Sequence, residues 1–173
     1  MAIGDDFPAG YRLVARHIAR VLAHLQGADE LPAPSRVVEI PVCYGGEFGE
    51  DLSFVAARAG LSVDDVIARH AAASYRVAML GFSPGFPFLL GLPPELACAR
   101  RDTPRRAVAA GSVGIAGGQT GVYPVESPGG WQLIGRTPLA LFDAQGDPPA
   151  LLQPGDGVRF VAIAEAEFER MRR

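Results

Sequence analysis

Residues 111–136 read GSVGIAGGQTGVYPVESPGGWQLIGR, and the alternation within this run decides the fold. Short apolar stretches are separated by glycine clusters, so each stretch reads as a strand and each cluster as a turn. The wider segment 81–135 holds eleven glycines and the chain's single tryptophan. Glycine loses more backbone freedom on folding than any other residue, so this density marks a rigid, loop-shaped surface where turns or close backbone approach are needed.

Working outward, strand candidates fall at 111–116, 120–123, 131–134, 138–142 and 158–163, with turn signals at Ser127-Pro128-Gly129-Gly130 and Pro154-Gly155-Asp156-Gly157. Several short strands at near-regular spacing predict a closed or nearly closed β-barrel. Upstream the pattern changes. Tyr11, Val14, Ile18, Val21, Leu22 and Leu25 recur at helical spacing, with Gly27 as a stop. RVVEIPVCY, residues 36–44, reads as a strand near an edge or bulge because Pro41 interrupts it. Two short helices follow at 51–59 and 63–72, the second with Ser62 and Asp65 spaced for N-capping. YRVAMLGF, residues 75–82, reads as a buried strand. The class is α+β, with an N-terminal α/β domain over 1–75 and a barrel domain over 76–173.

The chain has 173 residues, a formal net charge of −3 and 49% hydrophobic residues, which is ordinary globular composition with no invitation to nucleic acid. The N-terminal MAIGDDFPAG is acidic where a signal peptide would be basic, and no apolar run is long enough to span a membrane, so the cytoplasm is the expected location. Cys43 and Cys98 lack metal or redox spacing and read as buried thiols. All 16 basic residues are arginine. Without lysine there is no P-loop lysine, Schiff base, biotin attachment point or Ser–Lys nucleophile pair on this chain.

The helix–Gly-Leu-Ser–helix unit has helix-turn-helix spacing, but Asp64 and Asp65 open the would-be recognition helix, which argues against DNA. His70 reads either as a helix C-terminal cap or as a proton carrier, and three scattered histidines make no metal site. Phe82, Phe86 and Phe88 lie on a chain kinked by Pro84, Gly85 and Pro87, and serve either as a contact platform or as a core lid. Arg100, Arg101 and Arg105 form a positive cluster suited to carboxylate or phosphate. In the glycine-rich run, Gln119, Thr120 and Tyr123 can hydrogen-bond a polar planar group, and Ser127, Trp131 and Arg136 can complete an aromatic-lined pocket. No dinucleotide or nucleophile-elbow pattern is present.

His70…Tyr75, GFSPGFPFL, RRDTPR, the run from Val108 to Asp143 and LLQPGDGVRF together resemble the Kip-inhibitor and 5-oxoprolinase B-subunit family, also labelled allophanate hydrolase subunit 1. The resemblance implies a small N-terminal α/β domain and a cyclophilin-like β-barrel. It also implies action with a larger cyclophilin-like C subunit and with the A subunit, opening the 5-oxoproline lactam to glutamate at the expense of ATP. ATP then belongs to the complex, with Arg100, Arg101 and Arg105 as this chain's contribution. Within the family a fused relative forms the carboxyltransferase part of biotin-dependent urea carboxylase, and another member inhibits a sporulation histidine kinase. Two alternatives follow: a kinase inhibitor using Phe82, Phe86 and Phe88, or one component of an allophanate or urea amidolyase-type system. The expected site has His70 moving a proton and Gln119, Thr120, Tyr123, Ser127, Trp131 and Arg136 binding substrate. Relative to the family, the front domain is expected to start part-way through.

Overall fold

The computed structural model of the chain describes residues 33–172, and the helix expected over Tyr11–Leu25 lies outside them. From Pro34 onward the chain forms one compact unit. Its regular elements are β1 (Val37–Tyr44), α1 (Leu52–Ala59), α2 (Val63–Ala72), β2 (Tyr75–Leu80), β3 (Pro87–Leu90), β4 (Arg105–Val108), β5 (Ser112–Ala116), β6 (Gln119–Val122), β7 (Ser127–Gly129), β8 (Gln132–Arg136), β9 (Gly157–Ala162) and α3 (Glu165–Met171). Seven strands close a barrel in the order β1-β8-β5-β6-β3-β2-β9, while β4 and β7 pair as a separate ribbon. The β1–β9 pair is parallel, and the other barrel pairs are antiparallel.

The barrel takes β1 from upstream of residue 75, so the front strand and the downstream strands share one sheet. Pro41 does not mark an edge. Arg36 and Val42 turn their carbonyls toward β9, accepting from Gly157 and Ile163. Residues two apart on a strand point their polar groups the same way, so Pro41 faces the opposite neighbour, β8. There the ladder is formed only at Cys43 and Tyr44, so the missing N–H breaks no bond.

Ser62 caps α2 as its spacing predicts, its hydroxyl accepting the Asp65 N–H at 3.1 Å. Gly60 closes α1 in the left-handed region at φ 66°. Residues 138–142 do not form the expected strand: Phe142 makes one bridge to Ala150, and Leu141 is buried in the main core with Leu152. Their apolar pattern reflects plugging of the core, which alternation alone cannot distinguish from strand pairing. Two segments read as turn and loop are strands instead. Ser127–Gly129 pairs with β4, and Pro87–Leu90 lies between β2 and β6 with Pro87 at its first residue, where a missing donor is tolerated.

The principal core fills the barrel with side chains such as Ile40, Val77, Leu89, Ile115, Ile134 and Phe160, with Leu52, Val55 and Val66 of the two helices packed onto it. A second, aromatic-rich cluster of Phe86, Val108, Ala116, Tyr123, Trp131 and Leu133 lies beside it. This second cluster forms the floor of the site.

Candidate functional site

The kinked GFSPGFPF loop folds back on itself, with Gly81 N–H donating to Phe86 O at 3.1 Å and Phe86 N–H donating to Ser83 O at 3.1 Å. The return drives Phe86 into the second cluster, where it is 1% exposed and lies edge-on to Tyr123 at 5.3 Å and to Trp131 at 5.4 Å. Phe88 is half-buried beside Trp131 at 6.0 Å, while Phe82 stands 68% exposed. The expected aromatic contact surface is thus divided: Phe86 is core, Phe88 is wall, and Phe82 alone projects. Phe82 also has φ 69°, a left-handed conformation that is unfavourable for a bulky side chain.

Together with Tyr123, Gly129 and Gly130, these rings line a slot of about 230 Å³. Gly129 is required at its place, because a Cβ there would lie 2.2 Å from Tyr123 Oη. Burial raises the Tyr123 hydroxyl above its ordinary value, partly offset by the Trp131 backbone N–H and the charges of Arg100 and Arg105. At neutral pH it is a neutral hydroxyl.

A second cavity of about 520 Å³ adjoins the slot and shares Arg100 with it; its other walls include Asp51, Phe54, Arg58, Cys98 and Gln132. Asp51 organises this wall. The residue is 6% exposed, and its carboxylate accepts from Leu133 N–H at 2.7 Å, Arg101 Nη1 at 3.1 Å and Arg105 Nη2 at 2.9 Å. The expected anion-binding trio is therefore split. Arg101 and Arg105 are engaged by Asp51, and Arg105 also by Glu50 at 3.1 Å. Arg100 forms no ion pair among the described residues, and its guanidinium lies over the Trp131 ring at 5.9 Å. Burial pushes the Cys98 thiol up despite nearby Arg58, so it is not a ready nucleophile at neutral pH.

His70 is fully buried, away from both cavities. Thr120 Oγ1 donates to Gly114 O at 2.9 Å, so toward His70 Nε2, at 3.1 Å, it acts as acceptor. This places the proton on Nε2 and leaves Nδ1 to accept from Tyr44 Oη at 2.8 Å. The ring stacks on Phe160 at 4.6 Å, and burial lowers its pKa to about 3. A neutral imidazole with both nitrogens partnered and no exposed surface acts in this chain as a structural brace between α2 and the barrel.

Of the six expected substrate contacts, Tyr123 and Trp131 share the slot. Thr120 is consumed by the brace. Gln119 is partly exposed on β6 opposite Ala116 and lines neither cavity. Ser127 sits on β7, its Oγ buried and unpartnered among the described residues. Arg136 lines a different cavity with Gly111, Pro124 and Arg172, and lies over Phe48 at 6.0 Å. Asp51, Arg58 and Gln132 escaped the sequence reading. An acidic residue immediately before a helix and a glutamine inside an apolar strand are the signals that could have singled out Asp51 and Gln132.

Among the described residues, no helix is long and apolar enough to cross a membrane, and no group of His, Cys, Asp and Glu is placed to hold a metal ion. A family model described as carboxyltransferase domain, subdomain C and D, matches residues 6–152. The chain is 53% identical over 158 residues to the 5-oxoprolinase B subunit of Bacillus subtilis (strain 168), covering 91% of this chain and 65% of that protein. It is 54% identical over 148 residues to the 5-oxoprolinase B subunit of Escherichia coli O157:H7, covering 86% of this chain and 68% of that protein. The crystal structure of a conserved uncharacterized protein from Pyrococcus horikoshii superposes with a TM-score of 0.75 at 50% identity, covering 91% of this chain and 69% of that one. The chain thus spans about two thirds of the length of these two B subunits. With the barrel, the family match and half-identical relatives in agreement, the chain belongs to the 5-oxoprolinase B-subunit family, within the carboxyltransferase-domain proteins.

Proposed function

We propose that this chain is the B subunit of an ATP-dependent 5-oxoprolinase, a cytoplasmic assembly that opens the 5-oxoproline lactam to glutamate. The observation that carries this reading is the 53–54% identity, over most of the chain, to two proteins named as that component. The working partners are a larger cyclophilin-like C subunit and the A subunit.

The side chains support a non-autonomous role. Among the described residues, no nucleophile–base pair lines the slot or the adjoining chamber, and His70, the only histidine among them, is locked in the core. Phe82, with Met79 at 53% exposure, provides an apolar contact surface beside the slot. ATP supplies the driving force at the level of the complex. Arg58 and Arg100 can meet phosphate oxygens in the 520 Å³ chamber, but the chain has neither a P-loop pattern nor a lysine, so the main nucleotide cradle belongs to the partners.

Co-expression with the A and C subunits and an assay of ATP-dependent glutamate release from 5-oxoproline test the reading. The expected result is turnover only when all chains are present. A stable three-subunit complex with no lactam opening, together with inhibition of histidine-kinase autophosphorylation by this chain alone, overturns it in favour of the kinase-inhibitor reading.

A further inference from the structure

We propose that the barrel end carrying Arg136 is a protein-docking face, with Arg136 as its charged anchor for one acidic side chain of the partner. The identification of that partner with the larger C subunit rests on the function proposed above. The anchor itself rests on geometry.

Cys43, Arg136 and Ser112 stand in register across β1, β8 and β5, so their side chains share one face of the sheet. Phe48 and Phe168 pack with Cys43 there. The Arg136 stem runs against Gly111, where a Cβ would lie 3.3 Å from its Cγ, and the guanidinium lies over Phe48. No anion of this chain meets that guanidinium among the described residues. Its Nε is buried without a hydrogen-bond partner, as is Ser112 Oγ beside it. Burial, with the charges of Glu165 and Glu47, raises the Cys43 thiol, so it stays neutral, and neither glutamate pairs with Arg136. Glu169 is taken by Arg172 at 2.9 Å. A half-buried cation without a partner is destabilising, and an incoming carboxylate offsets that.

The surroundings favour a protein over a free ion. A free carboxylate gains little from one partly exposed guanidinium in water. The cavity beside Arg136 adds Pro124, Leu139 and Phe168, with Ala110 and Ala140 exposed at its rim, and these give apolar contact that a simple ion cannot use. A cationic centre within an apolar rim is the arrangement of an interface hot spot, where the rim keeps water from the ion pair.

Position points the same way. Leu80 pairs with Pro87, Phe88 with Gly121, Val113 with Val122 and Ser112 with Arg136, so the Phe82 loop and Arg136 lie at one end of the barrel. The loop abuts the segment that runs on from residues 137–140 of the cavity wall: a Cβ at Gly85 would lie 3.0 Å from Phe142 Cβ. The exposed Phe82 ring and the unpaired Arg136 thus offer a single partner one apolar and one charged contact.

The full chain is titrated calorimetrically with the larger C subunit in about 50 and about 300 mM NaCl. Arg136→Gln, which removes the charge, is expected to weaken binding about ten-fold or more at the lower salt. Wild-type affinity should fall more steeply with salt than that of the variant, because only the wild type has an ion pair to screen. Ala110→Glu, at an exposed rim position, should weaken binding by a similar factor through repulsion of the partner's carboxylate, with the wild-type circular dichroism and melting curve. Should Arg136→Gln lose its fold, Ala110→Glu decides alone. Unchanged affinity in either folded variant, or equal salt dependence of wild type and Arg136→Gln, overturns the anchor.

Melting of the chain alone in sodium acetate and in sodium chloride of equal ionic strength separates the other occupant. An Arg136-dependent rise in melting temperature with acetate overturns docking in favour of a small-carboxylate site, and equal melting supports docking. A three-subunit complex that opens the lactam, paired with an Arg136→Gln chain of unchanged affinity, removes the anchor and leaves the function standing. Arg136-dependent binding to the C subunit in a complex that opens no lactam does the reverse. A wild-type chain that does not bind the C subunit overturns both.

Discussion

His70 and Thr120, fifty residues apart in sequence, meet at 3.1 Å inside the barrel, and the threonine hydroxyl passes the contact on to the carbonyl of Gly114. Burial lowers the imidazole from 6.5 to about 3. Below pH 6.5 the unfolded chain therefore takes up a proton that the folded chain refuses. Stability from this residue is complete above pH 6.5 and is lost as pH falls toward 3, by up to about 1.4 kcal/mol per unit. In His70→Gln, whose amide can donate to Thr120 and accept from Tyr44, urea unfolding at pH 7.5, 6.5 and 5.5 should show a shallower decline by one proton. The variant should cost about 1–3 kcal/mol at neutral pH through lost stacking. An unchanged pH slope contradicts the brace.

Asp51 ties the start of α1 to β8 and to the arginine loop. Asp51→Asn keeps an acceptor for Leu133 N–H but removes the charge facing two guanidinium groups. The expected loss is about 2–3 kcal/mol, toward the low end for a buried pair because Arg101 remains partly exposed. Chemical denaturation measures this, and a shift in Trp131 emission should accompany it as the Arg100 loop relaxes.

Phe82 holds a left-handed backbone while exposing its ring. Replacing it with glycine relieves about 1 kcal/mol of backbone strain. Melting temperature should stay level or rise, while affinity for the larger partner falls at least ten-fold if the ring is a contact anchor. Calorimetric titration of the variant against the larger C subunit separates the two effects. Unchanged affinity removes Phe82 from the interface.

Gly129→Ala places a methyl group where Tyr123 Oη now sits. The clash should cost about 1–3 kcal/mol and displace Tyr123 into the slot. A drop in melting temperature and a blue or red shift of Trp131 emission are both expected; a wild-type melt with unaltered emission contradicts the packing described for the slot floor.

Much of the fold was legible because local chemistry and tertiary role coincide. The Ser62 cap, the Gly60 stop and the strands around Val113, Val122 and Val158 form where their local signals place them. Three elements misled for one reason: their local signals are genuine but are used for something else. Pro41 lacks a donor on the side where none is needed. Ser127-Pro128-Gly129 carries turn residues yet pairs as a short strand. Leu141 is apolar because it plugs the core. For the site, the sequence exposed the aromatic and arginine inventory but not its division. Whether Arg100, Arg101 or Arg105 is available depends on Asp51, which lies about fifty positions away in the chain, and no local pattern encodes that choice. His70 looked reactive because its saturation by Tyr44 and Thr120 is likewise a long-range property.

Closure of the seven strands settles how another protein can grip this one. Among the described residues every barrel strand has a neighbour on both sides, and only the short reaches beyond Cys43–Tyr44 on the β1–β8 side and beyond Tyr75–Arg76 on the β2–β9 side leave backbone for an incoming strand to extend, so recognition of the rest of the barrel goes through side chains and loops. Affinity for a companion protein would then hinge on a few projecting groups, making assembly tunable by single substitutions that leave the scaffold intact.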